Sequence, residues 1–209
     1  MKVGPETLRE AHTFKYLGAR FNDDATCVEE VKTRLGLARD RLGSLATLWK
    51  SRSLSNESKA RLIRSVIVRP IVTYGAEAWT LNKELTGNIE AFDMQGYRRA
   101  LRIPYTEHVS NAEVLDRMGQ QRKPLGRIRE RKLKYFGHVM RHNSLEEDVM
   151  LGPMPGLRRQ GGQRRRWLDD LCGWTDMSLP QLVRAAENRV SYRKLVHTAS
   201  YARLAGTIH

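Results

Sequence analysis

A mainly α-helical fold is expected, a helical bundle with a short amino-terminal β-hairpin and a basic, partly flexible helical tail. Three features of the 209-residue chain point to it. Apolar residues recur at spacings of three and four over most of its length. Ser, Asn and Pro stand where helices begin. Only Phe14 to Phe21, with turn residues Asn22-Asp23-Asp24 behind it, has the aromatic-rich composition of a short strand or hairpin.

The elements follow in order. Thr26-Cys27-Val28-Glu29 reads as a capping box. Behind it, Val28, Val31, Leu35, Ala38, Leu42, Leu45 and Trp49 predict one amphipathic helix to about Lys50. Ser55 caps a second helix whose inner side is Leu62, Ile63, Val66 and Ile67. Pro70 is expected to kink or break it, because proline lacks an amide donor and disfavours helix at Arg69. A third helix starts after Asn82, carries Leu85, Ile89, Phe92 and Leu101 inward, and stops at Pro104. Ser110-Asn111-Ala112-Glu113 opens a short helix that ends at Gly119.

Pro124 sits where a first helical residue belongs, and Leu125, Ile128, Phe136, Val139 and Met140 continue on helical spacing. The other faces of that helix are expected to carry Arg127, Arg129, Arg131, Lys132 and Lys134. Ser144 to Glu147 starts one more short helix, and residues 152–163 form a Gly/Pro/Arg linker. Helix resumes at Trp167–Trp174 and, capped by Ser178, from Leu179 to about Val196.

Charge narrows the function. Lys and Arg number 37 against 23 Asp and Glu, a net charge of +14, which favours a polyanion as partner. Between Arg117 and Arg141 there are nine basic residues and one acid, Glu130, and Arg158 to Arg166 adds five arginines and no acid. The carboxy-terminal half therefore owns the electrostatic footprint, and Tyr135, Phe136 and Trp167 lie among its cations. Two cysteines, Cys27 and Cys172, exclude a disulfide framework and a cysteine-based zinc ribbon. No apolar run approaches the roughly 20 residues of a membrane span, and the first residues lack a signal-peptide core. An intracellular site, nuclear or cytoplasmic, without membrane association is expected.

Candidate chemistry is sparse. Asp23-Asp24 and Asp169-Asp170 are adjacent carboxylates of the kind that hold magnesium for phosphoryl transfer. Each is better explained locally, the first by a turn and the second by ion pairs with Arg164, Arg165 and Arg166. His138 and His142 share a helix face and, with Cys172, are the nearest approach to a zinc site, which would need further ligands. No nucleophile elbow or phosphate-binding loop occurs, so no catalytic residue, metal or cofactor is assigned.

Five blocks in order resemble the region after the polymerase palm in LINE-type (non-LTR) retrotransposon reverse transcriptases. They are Phe14-Lys15-Tyr16-Leu17-Gly18, Tyr74-Gly75-Ala76-Glu77-Ala78-Trp79, Arg98 to Ile103, Ile128 to Arg141 with its Gly137-His138-Val139-x-Arg141 core, and Gly161-Gly162-Gln163-Arg164-Arg165-Arg166-Trp167-Leu168-Asp169-Asp170. Gln163 and Tyr192 depart from the family's usual proline and tryptophan. The resemblance implies a carboxy-terminal piece of such an enzyme without the catalytic aspartates of the palm. Residues 1–25 would end a palm-like hairpin, 26–118 would form a thumb-like bundle, and 119–209 a basic helical region.

A thumb of this kind grips a template–primer backbone without catalytic groups, and the remainder of the reverse transcriptase would be a partner. On that reading Arg127, Arg131, Lys134, Arg158, Arg159, Arg164, Arg165 and Arg166 contact RNA or DNA phosphates, while His138 and Trp167 position those elements. The alternatives are a metal-dependent nuclease using Asp169, Asp170 and His138, or a helical relic with at most an interaction role.

Overall fold

A computed structural model of the protein describes residues 2–3, 6–7, 12–22, 26–104, 106–119, 124–142, 145–152 and 165–201. The described chain is mainly helical, with two small antiparallel pairs at its start: β1 (Lys2–Val3) with β2 (Glu6–Thr7), and β3 (Thr13–Tyr16) with β4 (Ala19–Asn22). The second pair is the expected hairpin. Its turn lies at Leu17-Gly18, where φ is +47° and +85°, the left-handed pair that two-residue hairpin turns require.

Polar contacts rather than burial dock this hairpin, since β3 is exposed throughout. Tyr74 donates its hydroxyl to the Leu17 carbonyl, and Arg34 donates to that of Gly18. The Arg20 amide donates to the buried Glu30 carboxylate at 2.8 Å, and Arg34 pairs with the same carboxylate at 2.6 Å.

Helix α1 (Val28–Ser44) buries Val31, Leu35, Ala38 and Leu42. Its cap is Cys27, without a side-chain capping bond, so the expected Thr26–Glu29 box does not form. The helix starts one residue too late for it, and Glu29 pairs with Lys32 instead. Nor does α1 run to Lys50. The Trp49 indole donates to the Leu42 carbonyl at 2.9 Å, an acceptor that a continuous helix would offer to the amide four residues on. The chain breaks at Leu45 into a short α2 (Ala46–Lys50).

Ser55 caps α3 (Asn56–Leu62), accepting from the Ser58 amide at 3.2 Å. Pro70 then fails to break the chain. Residues Ile63–Val72 continue as a π-helix, in which amides bond five residues back and the wider turn accommodates a proline ring and its missing donor. Thr73 closes it, its amide donating to the Val68 carbonyl at 2.9 Å and its hydroxyl to the Arg69 carbonyl at 3.1 Å.

Gly75, at φ +65°, leads into a 3-10 turn over Ala76–Ala78. Asn82 caps α4 (Lys83–Leu101) through the Leu85 amide at 2.7 Å. Ser110 caps α5 (Asn111–Arg117), whose Glu113 reaches Arg117 rather than back to the cap.

There follow α6 (Pro124–Val139), α7 (Leu145–Leu151), α8 (Trp167–Thr175), α9 (Leu179–Glu187) and α10 (Arg189–Tyr201). Ser178 and Gln181 form the capping box of α9. The single helix expected from Leu179 onward is two, because Asn188 leaves helical geometry and its side-chain oxygen accepts from the Val190 and Ser191 amides, capping α10.

Apolar side chains gather in two clusters. One is built from α1 to α5 and takes Leu125 and Ile128 from α6. The other joins Leu133, Phe136 and Val139 of α6 to Leu171 of α8, Leu182 and Ala186 of α9 and Tyr192, Val196 and Ala199 of α10. Helix α6 therefore belongs to both.

Two glycines let α10 lie against α6. A Cβ on Gly137 would fall 2.2 Å from the Tyr192 ring, and one on Gly126 would fall 2.6 Å from the Tyr201 ring and 2.9 Å from the Ser200 carbonyl. Tyr192 donates its hydroxyl to the Leu133 carbonyl at 2.8 Å, which gives a tyrosine its own use where the resemblance expects tryptophan. No helix among the described residues is long and apolar enough to cross a membrane.

Candidate nucleic-acid interface

The cations of α6 divide by face. Leu125, Ile128, Lys132, Phe136 and Val139 fall at spacings of three and four, and all are buried. Arg131, Lys134, Tyr135 and His138 are exposed, with Arg127 and Arg141 half-buried at the edges. Lys132, expected on an outer face, is 0% exposed.

Its ammonium donates to the Asp170 carboxylate at 2.6 Å and to the Trp79 carbonyl at 2.6 Å, and lies over the Trp167 and Trp174 rings. Burial pushes its pKa below the usual lysine value, although the Asp170 charge and hydrogen bond push it back up. Asp170, also 0% exposed, accepts three further-separated donors in all: Lys132, the Leu81 amide at 2.9 Å and Arg165 Nε at 2.7 Å. Beside it the Trp167 indole donates to the Glu77 carbonyl at 2.7 Å.

Three blocks distant in sequence therefore meet at one buried node: Glu77 to Leu81, Lys132 on α6, and Arg165 to Asp170 at the start of α8. The Trp167 indole ties the start of α8 to Glu77. The signal for Lys132 was present in the sequence, since it occupies an apolar phase of α6; a cation there calls for a buried partner.

The exposed face gathers charge from another element. Arg127 is pushed to a lower pKa by burial and then by the charge of Arg69, with that of Arg64 adding to the effect. Neither Arg64 nor Arg69 was singled out from the sequence, because their segment reads as an inward-facing helix. Arg131 donates to the Thr73 carbonyl, which fastens this side of α6 to the end of the π-helix.

Glu130 is the acid of this face. Burial opposes its charge, yet hydrogen bonds from Lys134, at 2.6 Å, and from Tyr201 hold its carboxyl below the usual glutamate value. Arg165 and Arg166 are exposed beyond the node, paired with Asp170 and with Asp169 at 3.2 Å. Arg158, Arg159 and Arg164 lie outside the described residues. His138 is exposed, its ring 4.3 Å from that of His142.

The two carboxylates proposed for a nuclease have structural work. Asp169 accepts from the Arg166 amide at 2.7 Å, capping α8, and this bond together with Arg166 holds its pKa low. Asp170 is enclosed in the node, and no group of three His, Cys, Asp or Glu side chains able to hold a metal ion occurs among the described residues.

No family model matches the chain, and no solved structure matches it. The sequence is 29% identical over 174 residues to an uncharacterized transposon-derived protein of Caenorhabditis elegans. The match covers 78% of this chain and 60% of that relative, so the chain spans less than two thirds of the relative's length. This protein is thus distantly similar to a transposon-derived protein.

Proposed function

We propose that this protein holds the sugar–phosphate backbone of RNA or DNA, as the post-palm region of a LINE-type reverse transcriptase would, and supplies no catalytic group itself. The observation that carries the reading is the outward cationic side of α6, with Arg131 and Lys134 exposed and Arg127 at its edge, next to which the π-helix exposes Arg69. Like charges brought together raise one another's energy, and a row of phosphates relieves that repulsion while releasing counterions.

The exposed pair Lys134–Glu130 is weak in water, so exchanging the carboxylate for a phosphate costs little. Arg165 and Arg166 extend the cationic surface toward the start of α8. The distant similarity to a transposon-derived protein supports the same direction.

Binding of the purified chain to a labelled RNA–DNA duplex, measured by fluorescence anisotropy across a salt series, tests this. The log of the affinity should fall linearly with the log of salt, and each phosphate contact removed should flatten the slope by about 0.9 on a duplex. Arg131→Gln and Lys134→Gln together should flatten it by nearly two such steps. Affinity indifferent to salt would overturn the proposal, and magnesium-dependent cleavage lost in Asp169→Ala would replace it with the nuclease reading.

A further inference from the structure

Away from the α6 stripe, a surface cleft of about 240 Å³ opens between the start of α4, α6 and the end of α8. It is lined by Leu81, Asn82, Lys83, Thr86, Leu125, Arg129, Arg165 and Trp174. Three of these are cations and none is an acid. Leu81 and Leu125 are buried and form an apolar floor, with the half-buried Trp174 indole as an aromatic side. Its volume lies below the roughly 300–1,000 Å³ of pockets that enclose a drug-sized ligand, and suits one unit of a larger molecule.

Asp170, 0% exposed, holds Arg165 through Nε at 2.7 Å, which fixes the guanidinium while its terminal nitrogens make no hydrogen bond among the described residues. The same carboxylate holds the Leu81 amide at 2.9 Å, so floor and rim share one anchor. Arg129 lies 5.4 Å from the centre of the Trp174 ring, which sets a cation beside the indole. Lys83 is exposed and has no ion partner among the described residues.

Apolar floor, aromatic side and cationic rim together match a phosphorylated nucleoside. We propose that this cleft takes one nucleotide of a bound strand, its phosphate between Lys83 and Arg165 and its sugar and base over Leu81, Leu125 and the edge of Trp174. The proposal rests on the nucleic-acid reading and shares Arg165 with the cationic surface described above, but its floor and Lys83 lie outside that surface.

Adenosine monophosphate is the probe, titrated into the full chain by calorimetry, with adenosine and an oligothymidylate as comparisons. AMP should bind, and adenosine should bind far more weakly. Lys83→Glu should weaken AMP by about tenfold or more, the loss expected of a charged hydrogen bond, while keeping the fold because an acid in the first turn suits a helix. The oligothymidylate should displace AMP.

Equal affinity for adenosine and AMP, or an unchanged affinity in Lys83→Glu, would overturn the site. AMP that the oligothymidylate cannot displace would overturn its assignment to a strand and leave a free-nucleotide site. AMP binding without any binding of polynucleotide would overturn the wider reading and leave the cleft. Polynucleotide binding without AMP binding would do the reverse.

Discussion

Lys132 and Lys134 stand two residues apart on one helix, carry the same side chain and meet opposite surroundings. Lys132 is sealed between the two apolar clusters against Asp170, a backbone carbonyl and two indoles. Lys134 is 62% exposed and shares water with Glu130. Desolvation raises the energy of both charges in the first pair, so breaking it strands a charge without hydration. In the second pair water replaces whichever partner leaves. The cations of α6 therefore have two uses: Lys132 joins the two clusters, and Arg131 and Lys134 face outward.

Removing one partner of the buried pair is the most severe way to break that contrast. Lys132→Met should cost about 3 kcal/mol in urea unfolding, because the buried Asp170 then keeps only the half-exposed Arg165 as a cation. A double-mutant cycle with Asp170→Asn should show strong coupling; additive losses would mean that the pair does not act as a unit.

Next in size is the contact that seats the second cluster. Gly137→Ala should destabilise by about 1–3 kcal/mol, since the new methyl displaces the Tyr192 ring and strains its bond to Leu133. A neutral result would show that α10 shifts freely against α6.

Alkaline pH should act on both clusters. Burial raises the phenol of Tyr97, with Asp93 adding to it, and burial raises that of Tyr192. A raised folded-state value means the folded chain holds protons that the unfolded chain releases. The associated stability is present below pH 10, the ordinary tyrosine value, and is lost progressively above it. Unfolding midpoints measured from pH 8 upward should begin to fall beyond pH 9.0, where the Cys27 thiol, also raised by burial, starts the same loss, and fall more steeply beyond pH 10; Tyr192→Phe should soften the second decline.

The smallest effect on stability belongs to the exposed pair. Lys134→Ala should change unfolding by no more than about 1 kcal/mol while flattening the salt dependence of duplex binding by about 0.9. A large stability loss with unchanged binding would invert the contrast with Lys132.

Helix positions were readable because they depend on neighbours within a few residues. Ser55, Asn82, Ser110 and Ser178 cap the helices expected of them, and the hairpin appears where aromatic residues and glycine place it. The misplaced boundaries have tertiary causes. Trp49 takes a carbonyl of α1 and ends that helix early, and the π-helix absorbs Pro70 with help from Thr73. The candidate interface was partly readable: the cations of α6 were evident, whereas the influence of Arg64 and Arg69 on Arg127 depends on the folded arrangement of the π-helix and α6.

Sequence by itself determined the helical class, the hairpin, most helix starts and the excess of positive charge, all properties of composition and short-range periodicity. Only the tertiary structure decided which cations are spent internally. It brought Trp79, Lys132 and Asp170 together across separations of 53 and 38 residues, a meeting that no local pattern encodes. Whether a charge is solvated or enclosed depends on what packs over it, and that is settled only when the elements assemble.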